Sequence, residues 1–136
     1  YKFALNKADV ITKGNDITIV ASGIMVAESL KAVLKLKEEG ISAELISANT
    51  IKPLDEETIL NSIKKTNHVV TCENHNVIGG LYSAVSEMLI EKYPLHVDKI
   101  AVMDQFGQVG KYSELLNYYH LTSNDIYNVV KKNLNK

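Results

Sequence analysis

The sequence predicts an α/β fold of three layers, with helices on both faces of a mostly parallel five-stranded sheet that includes one antiparallel edge strand. Short apolar runs rich in β-branched residues alternate with segments of helical periodicity along most of the chain. A helix between two strands makes the crossover that parallel pairing requires. The length of 136 residues is that of one domain with a moderate core.

Two strands are predicted at the start of the chain, over residues 8–12 and 16–21. Between them, Lys13-Gly14-Asn15 predicts a tight turn, because Gly and Asn tolerate a positive φ. So short a connection indicates that the two strands form an antiparallel hairpin.

A first helix is predicted over residues 24–39, after Ser22-Gly23 breaks the second strand. Gly40 is a suitable C-terminal cap for it. A strand over residues 41–48 then returns parallel to the strand before the helix. The helical residues expected to face the core are Val26, Ala27, Leu30, Val33 and Leu34.

The second helix is predicted to start at Asp55, whose side chain can cap it, with acidic residues in the first turn where the helix dipole favours them. Its buried stripe is expected to be Ile59, Leu60 and Ile63. A third parallel strand over residues 67–73 follows. The next helix begins at Leu81 and ends before Pro94, which cannot continue a helix.

The last part of the chain is predicted to hold a strand over residues 99–103 and a polar loop over residues 104–110. A short helix follows from Ser113. Thr122 with Asp125 three residues later has the form of a capping box, so the final helix is predicted to start there.

Composition excludes several classes of function. The formal net charge of -1 gives no electrostatic basis for binding nucleic acid or an anionic membrane, and no apolar run approaches the roughly 20 residues that cross a bilayer. Cys72 is the lone cysteine, so an internal disulfide is excluded, and we expect a cytoplasmic protein. The first residue is Tyr1 rather than Met, and we expect residues 1–136 to be a single domain taken from a longer chain.

Candidate functional residues are predicted at the carboxyl edge of the sheet, where open α/β sheets present their functional groups. Glu73 and His75 are the most chemically interesting pair, because a carboxylate can orient an imidazole and raise its pKa. The alternative is that they bond the loop backbone, cap the next helix or contact a neighbouring domain. We favour the alternative, because no nucleophile or metal partner accompanies them. The four loops of this edge are Ser22-Gly23 and residues 49–53, 73–80 and 104–110.

The glycines of this edge allow a second interpretation. Ser22-Gly23 and Gly79-Gly80 could present backbone N–H groups to an anion at a strand-to-helix turn. A dinucleotide fingerprint needs three spaced glycines, whereas the first turn has one, so a tight turn and close packing are the favoured explanations. The four histidines lack the spacing of metal ligands, and no metal site is predicted. Cys72 is interpreted as a buried, inert residue.

Several segments together carry a family resemblance. Residues 71–81 resemble the Glu-x-His…Ile-Gly-Gly-Leu segment of the C-terminal domain of transketolases, and residues 51–55 resemble its Ile-Lys-Pro-Ile/Leu-Asp segment. Residues 16–27 and 104–126 resemble its first strand and helix and its last part. The likeness is closest to transketolases whose two halves are separate chains. Deoxyxylulose-phosphate synthase and the β subunits of 2-oxo acid dehydrogenases share this domain and remain alternatives.

Two residues depart from the family pattern. Asn74 stands where relatives often have a second Glu, and Tyr82 stands where they often have Gly. Tyr82 adds a bulky group at the start of a helix, which argues against close approach of a ligand to the backbone there.

The resemblance implies an enzyme of the pentose phosphate pathway that transfers two-carbon ketol units between sugar phosphates. It implies thiamine diphosphate and a divalent metal (Mg²⁺ or Ca²⁺), bound by the first and middle domains of a homodimer. We expect neither a cofactor nor a metal in this domain, which alone would be inactive. Its implied role is to support the middle domain, extend the dimer contact and offer a place for a regulator.

Two further functions are alternatives. The first is a module that senses an anionic metabolite through Ser22, Gly23, Gly79 and Gly80. The second is a hydrolase that uses Glu73 and His75, which is disfavoured because the chain has no Gly-x-Ser-x-Gly nucleophile motif.

Overall fold

The computed structural model describes residues 4–105, 107 and 109–135. Phe106 and Gln108 of the predicted polar loop therefore lie outside the described residues. The strands are β1 (Asp9–Thr12), β2 (Ile17–Ala21), β3 (Ala43–Ser47), β4 (Val69–Asn76) and β5 (Val97–Val102). The helices are α1 (Met25–Glu38), α2 (Glu56–Thr66), α3 (Leu81–Lys92), α4 (Tyr112–Tyr118) and α5 (Ser123–Leu134).

The sheet has the order β1-β3-β2-β4-β5. β2, β3, β4 and β5 are parallel to one another, and β1 runs antiparallel to β3 at one edge. This confirms the predicted α/β class, with a mostly parallel five-stranded sheet and an antiparallel edge strand. Within the described residues, no helix has the length and apolarity needed to cross a bilayer.

Alternate residues of the central strands feed two cores, one on each face of the sheet, because successive side chains of a strand point to opposite faces. Ile17 and Ile19 of β2 pack in a cluster with residues of α1, α4 and α5. Val20 belongs to the other cluster, with residues of α2 and α3. The helices therefore cover both faces, as the three-layer prediction requires.

The predicted hairpin of the first two strands is wrong. β1 pairs with β3, and β3 lies between β1 and β2. The reason is that β2 already has parallel neighbours on both sides, β3 and β4, so it has no free edge for β1. The short segment after β1 instead passes the start of β3, and the β1–β3 pairing has a register shift between Val10 and Thr12.

Glycine is needed at position 14 because the segment after β1 runs very close to the start of β3. A Cβ atom at Gly14 would lie 2.3 Å from the carbonyl carbon of Ala43, and the N–H of Gly14 donates to Glu44 Oε1 at 3.2 Å. Close contact with β3, rather than the positive φ that the turn pattern predicts, is what selects glycine here.

The predicted buried face of α1 is partly wrong. Ala27 and Leu34 are exposed, whereas Glu28 and Ser29 are buried together with apolar residues. The side chain of Glu28 accepts a hydrogen bond from the N–H of Ser123, the first residue of α5, at 3.1 Å. A pattern of apolar residues misses such polar positions, so the predicted face is shifted around the helix, although Val33 is buried and Val26 and Leu30 pack against the core.

The predicted helix ends are confirmed. Asp55 accepts from the N–H of Thr58 at 3.3 Å, and Thr122 and Asp125 form a reciprocal capping box. Gly40 lies just beyond the end of α1 with φ +79°, and its N–H donates to the carbonyl of Lys37 in the last turn.

Replacing Gly14 by alanine tests the passage past β3. Because the added methyl group would meet backbone atoms, we expect Gly14→Ala to lower the free energy of unfolding by about 3 kcal/mol, the upper end for overpacking. Urea unfolding followed by circular dichroism measures it. Gly107→Ala is the matched control, since no described residue lies within 4 Å of its Cβ position, and it should change stability by less than about 0.5 kcal/mol. Equal effects of the two changes would contradict the conclusion that close contact with β3 selects glycine at position 14.

Candidate functional site

The carboxyl ends of β2 and β4 bring the predicted site residues close together. The N–H of Ser22 donates to the carbonyl of Cys72 at 3.1 Å, which joins the turn after β2 to β4. A Cβ at Gly23 would lie 3.4 Å from Asn74 Oδ1, and one at Gly80 would lie 3.1 Å from His75 Nδ1. The structure therefore places all the predicted candidates along one edge of the sheet.

Glu73 and His75 lie in β4 and not in a loop, contrary to the prediction. β4 continues to Asn76, which pairs with Val102 of β5 after a register shift. The additional pairing with β5 extends the strand beyond residue 73, where the polar sequence predicts its end. Glu73 is consequently buried, with 1% of its surface exposed, whereas His75 is exposed.

Glu73 caps the helix that follows it. Its Oε1 accepts from the N–H of Leu81 at 2.9 Å, and its Oε2 accepts from the N–H of Tyr82 at 2.8 Å. These are the first two residues of α3, and its N-cap residue Gly80 has no side chain that could do the same. A carboxylate is favoured at this position because the N-terminal end of a helix dipole is positive. This geometry fits the alternative interpretation of Glu73 as a cap.

Burial raises the pKa of the Glu73 carboxyl above its ordinary value, because the ionised form loses its hydration. The hydrogen bonds from the N–H groups of Tyr82 and Leu81 and the nearby His75 act in the opposite direction. A carboxyl group with a raised pKa in a site of this kind can suggest catalysis. Here both of its oxygens are occupied by the helix.

The Gly79-Gly80 pair is explained by Glu73 and by the loop conformation. A Cβ at Gly80 would lie 2.0 Å from Glu73 Oε1, so a larger residue would displace the Glu73 carboxylate from the helix start. Gly79 has φ +80°, and its N–H donates to Ser83 Oγ at 2.9 Å. An anion at this helix start would compete with the carboxylate of Glu73 for the same N–H groups.

His75 is oriented by the backbone. Its Nδ1 lies 2.9 Å from the carbonyl oxygen of Asn76, so Nδ1 carries the proton in this bond and Nε2 is left as the acceptor in the neutral ring. Glu73 and His75 thus bond separate groups, the helix start and the strand carbonyl, and this geometry differs from that of an acid–base pair.

Cys72 is fully buried, and burial raises the pKa of its thiol to about 12. The thiolate is the reactive form of cysteine, so Cys72 is unreactive at neutral pH, in agreement with its interpretation as an inert residue.

The carboxyl edge is more apolar than the sequence suggests. Ile24, Ile78, Met103 and Tyr112 are exposed apolar or aromatic residues that follow β2, β4 and β5 or start α4, and we call them the carboxyl-edge patch. Ile78 has 66% of its surface exposed. Beside them lies a hollow of about 250 Å³ whose walls include Ile24, Val102 and Tyr112. Sequence reasoning missed the patch, although apolar residues within predicted loops were a signal for it.

The donor groups of this edge do not fit a metal–diphosphate site. Mg²⁺ in such sites takes carboxylates together with phosphate oxygens. Glu73 is occupied by α3, and Asp104 accepts from Asn76 Nδ2 at 3.3 Å. Among the described residues, no three His, Cys, Asp or Glu side chains are grouped so that they could hold a metal ion.

Comparison with known proteins identifies the family. Residues 6–126 match the family model described as "Transketolase, C-terminal domain". The chain therefore belongs to the family of transketolase C-terminal domains, which confirms the resemblance predicted from its motifs.

The sequence identities to individual relatives support this family assignment. The chain is 46% identical over 125 residues to the 6-deoxy-6-sulfo-D-fructose transketolase subunit SqwH of Clostridium sp. (strain MSTE9), a match that covers 92% of this chain and 39% of that protein. It is 41% identical over 135 residues to a putative transketolase C-terminal section of Methanocaldococcus jannaschii, covering 98% of this chain and 42% of that one.

A solved structure described as a split-gene transketolase, inactive β4 tetramer, matches with a TM-score of 0.93 and 43% identity over 99% of this chain and 44% of that one. The chain thus spans less than half the length of these relatives.

Removing the cap of α3 tests the role of Glu73. Glu73→Ala leaves the N–H groups of Leu81 and Tyr82 without an acceptor at a buried position, so we expect the free energy of unfolding to fall by about 3 kcal/mol. Denaturant unfolding measures this. Glu87→Ala on the exposed face of the same helix is the control and should cost less than about 0.5 kcal/mol. A cost for Glu73→Ala no greater than that of the control would exclude the capping role.

The raised pKa of Glu73 predicts a pH dependence of stability. A carboxyl whose folded-state pKa lies above its unfolded value contributes stability below the unfolded pKa, and this contribution is lost as pH rises through the folded pKa. The ordinary value is 4.5. Relative to Glu73→Gln, which cannot ionise, the native protein should therefore lose stability as pH is raised from below 4.5 towards neutrality. Unfolding curves of both proteins over this range measure the difference, and a constant difference would refute the prediction.

Proposed function

We propose that this chain is the C-terminal domain of a transketolase whose two halves are separate polypeptides. The observation that supports this most is the identity of 41% to 46%, over nearly the whole chain, to relatives described as a transketolase subunit and a transketolase C-terminal section. The intact enzyme would transfer two-carbon ketol units between sugar phosphates with thiamine diphosphate and Mg²⁺ or Ca²⁺. It would act in the cytoplasm, in the pentose phosphate pathway.

In this proposal the domain provides a scaffold and an interface, and the cofactor is bound by the first and middle domains of a homodimer. Two contacts support the division of roles. Glu73, the carboxylate best placed for chemistry at the carboxyl edge, is occupied as a helix cap. His75 Nδ1 is held by a backbone carbonyl. Residues 1–136 would form a single domain of the longer subunit.

The carboxyl-edge patch is the surface that we assign to the contact with the other transketolase domains. Exposed apolar residues that are clustered and rimmed by polar groups are typical of surfaces that meet another protein. Ile78 and Met103 are exposed beside the polar residues Asn76 and Asp104, which are joined by a hydrogen bond of 3.3 Å.

One structural observation favours a role in binding a metabolite. α1 starts without a side-chain cap, unlike α2 and α5, and Gly23 before it has φ +58°. An anionic regulator would therefore meet no capping side chain at Ser22-Gly23, although the N–H of Ser22 donates to Cys72, whereas Glu73 occupies the helix start at Gly79-Gly80.

Reconstitution with the remaining domains of the enzyme tests the proposal. The chain alone, mixed with thiamine diphosphate and Mg²⁺ in a calorimeter, should give no saturable heat at micromolar cofactor, and it should transfer no ketol units. With the remaining transketolase domains added, ketol transfer should appear. Ketol transfer by the chain alone would contradict the proposal.

A matched pair of variants tests the interface in the same assay. Ile78→Asp should weaken association with the other domains by tenfold or more, because it buries a charge in an apolar contact. Ile90→Asp is the control, since Ile90 is similarly exposed, at 73%, on a later turn of α3. Equal weakening by both variants would show that the carboxyl-edge patch is not the contact surface.

A further inference from the structure

A second hollow lies at the opposite, amino edge of the sheet. It has a volume of about 300 Å³ and is formed by the last turns of α1, the segment after β1 and the residues before β3. We call it the amino-edge pocket. None of the carboxyl-edge loops lines it.

The walls of the amino-edge pocket are largely apolar. Val33 and Leu34 of α1 face Ile41, which leads into β3. Leu34 has 56% of its surface exposed, although apolar residues gain by leaving water. A concave apolar surface with few polar groups is the usual form of a small-molecule site.

Two lysines, Lys13 and Lys37, line the same pocket. No ion pair within 4.0 Å is formed by either of them in the part of the chain that the structure describes, whereas Lys65 pairs with Glu44 and Lys131 pairs with Glu39. The positions three and four residues from Lys37 within α1 and its C-terminal turn are Val33, Leu34, Gly40 and Ile41, so no carboxylate of its own helix neutralises it. The pocket therefore combines apolar walls with uncompensated positive charge.

Asp16, whose carboxylate lies beside the pocket, is hydrogen-bonded to the backbone. Asp16 Oδ2 accepts from the N–H of Ser42 at 2.7 Å. The hydroxyl of Ser42, which lines the pocket, accepts from the N–H of Asn15 at 3.1 Å and keeps its own hydrogen for another acceptor. Lys13, Lys37 and Ser42 are thus three donors beside an apolar wall.

We propose that the amino-edge pocket binds a small amphiphilic carboxylic acid, with its carboxylate at Lys13, Lys37 and Ser42 and its hydrocarbon chain against Val33, Leu34 and Ile41. Charge complementarity selects an anion, and the apolar walls select a hydrocarbon body over a sugar phosphate, whose hydroxyl groups would lose hydrogen bonds to water there. A chain of about eight carbons suits a hollow of this size.

Titration of octanoate into the ¹⁵N-labelled chain tests the proposal. Below its micelle concentration, octanoate should shift the amide signals of Gly40, Ile41 and Ser42 and saturate with a Kd on the order of 0.1–1 mM, as expected for a ligand of about ten heavy atoms. Acetate, which lacks the apolar body, and octanamide, which lacks the charge, should each bind at least tenfold more weakly. Equal binding of octanoate and octanamide would refute the role of the lysines.

Substitutions test whether octanoate binds in the amino-edge pocket. The double change Lys13→Gln/Lys37→Gln should weaken octanoate binding at least tenfold, and Leu34→Ser should weaken it as well. Lys64→Gln/Lys132→Gln is the matched control, because it removes the same charge from exposed lysines of α2 and α5 and should leave the Kd unchanged. Unsaturable shifts, or equal loss in both double variants, would overturn the proposal, and circular dichroism confirms that each variant is folded.

Discussion

The contact between the buried carboxylate of Glu73 and the start of α3 fixes the carboxyl edge of this domain. It joins the end of a central strand to the helix on one face of the sheet through two N–H groups. A side chain at residue 80 would displace this carboxylate, because Glu73 Oε1 lies where its Cβ would be. On the other face, Glu28 of α1 accepts from the first N–H of α5. Each helical layer is thus anchored by a carboxylate from another element, placed at the positive end of a helix.

This anchoring makes the carboxyl edge less reactive. The groups that would make the edge reactive, a carboxylate and the free N–H groups of a helix start, satisfy each other and are withdrawn from any ligand. What remains exposed includes the apolar residues of the carboxyl-edge patch, beside polar residues such as Asn74, His75 and Asp104. The fold position that serves as a ligand site in many α/β proteins therefore has its helix start capped by Glu73 here.

Local sequence signals were sufficient for most elements. Asp55, Gly40 and the Thr122–Asp125 pair mark helix ends through contacts made within a few residues, and the structure has all of them. Strand order is different, because pairing of β1 with β3 depends on which neighbours β2 has already taken. The end of β4 likewise depends on β5, which lies about 25 residues further along the chain.

For the site, the sequence placed the candidate residues at the carboxyl edge and left several roles open for Glu73. The cap could be chosen only when the distances to the N–H groups of Leu81 and Tyr82 were known. The carboxyl-edge patch was missed because single apolar residues in loops are common and gain meaning only when the fold brings them together.

The short strand β1 also protects the molecule from self-association. β3 is buried at Ala43, Glu44, Leu45 and Ile46, so it would be a long apolar border if it ended the sheet. β1 covers it with four residues and an irregular pairing, which make a poor template for a strand of another molecule. The close contact of Gly14 with β3, which allows β1 to pair with β3, therefore also disfavours fibril-like growth of the sheet.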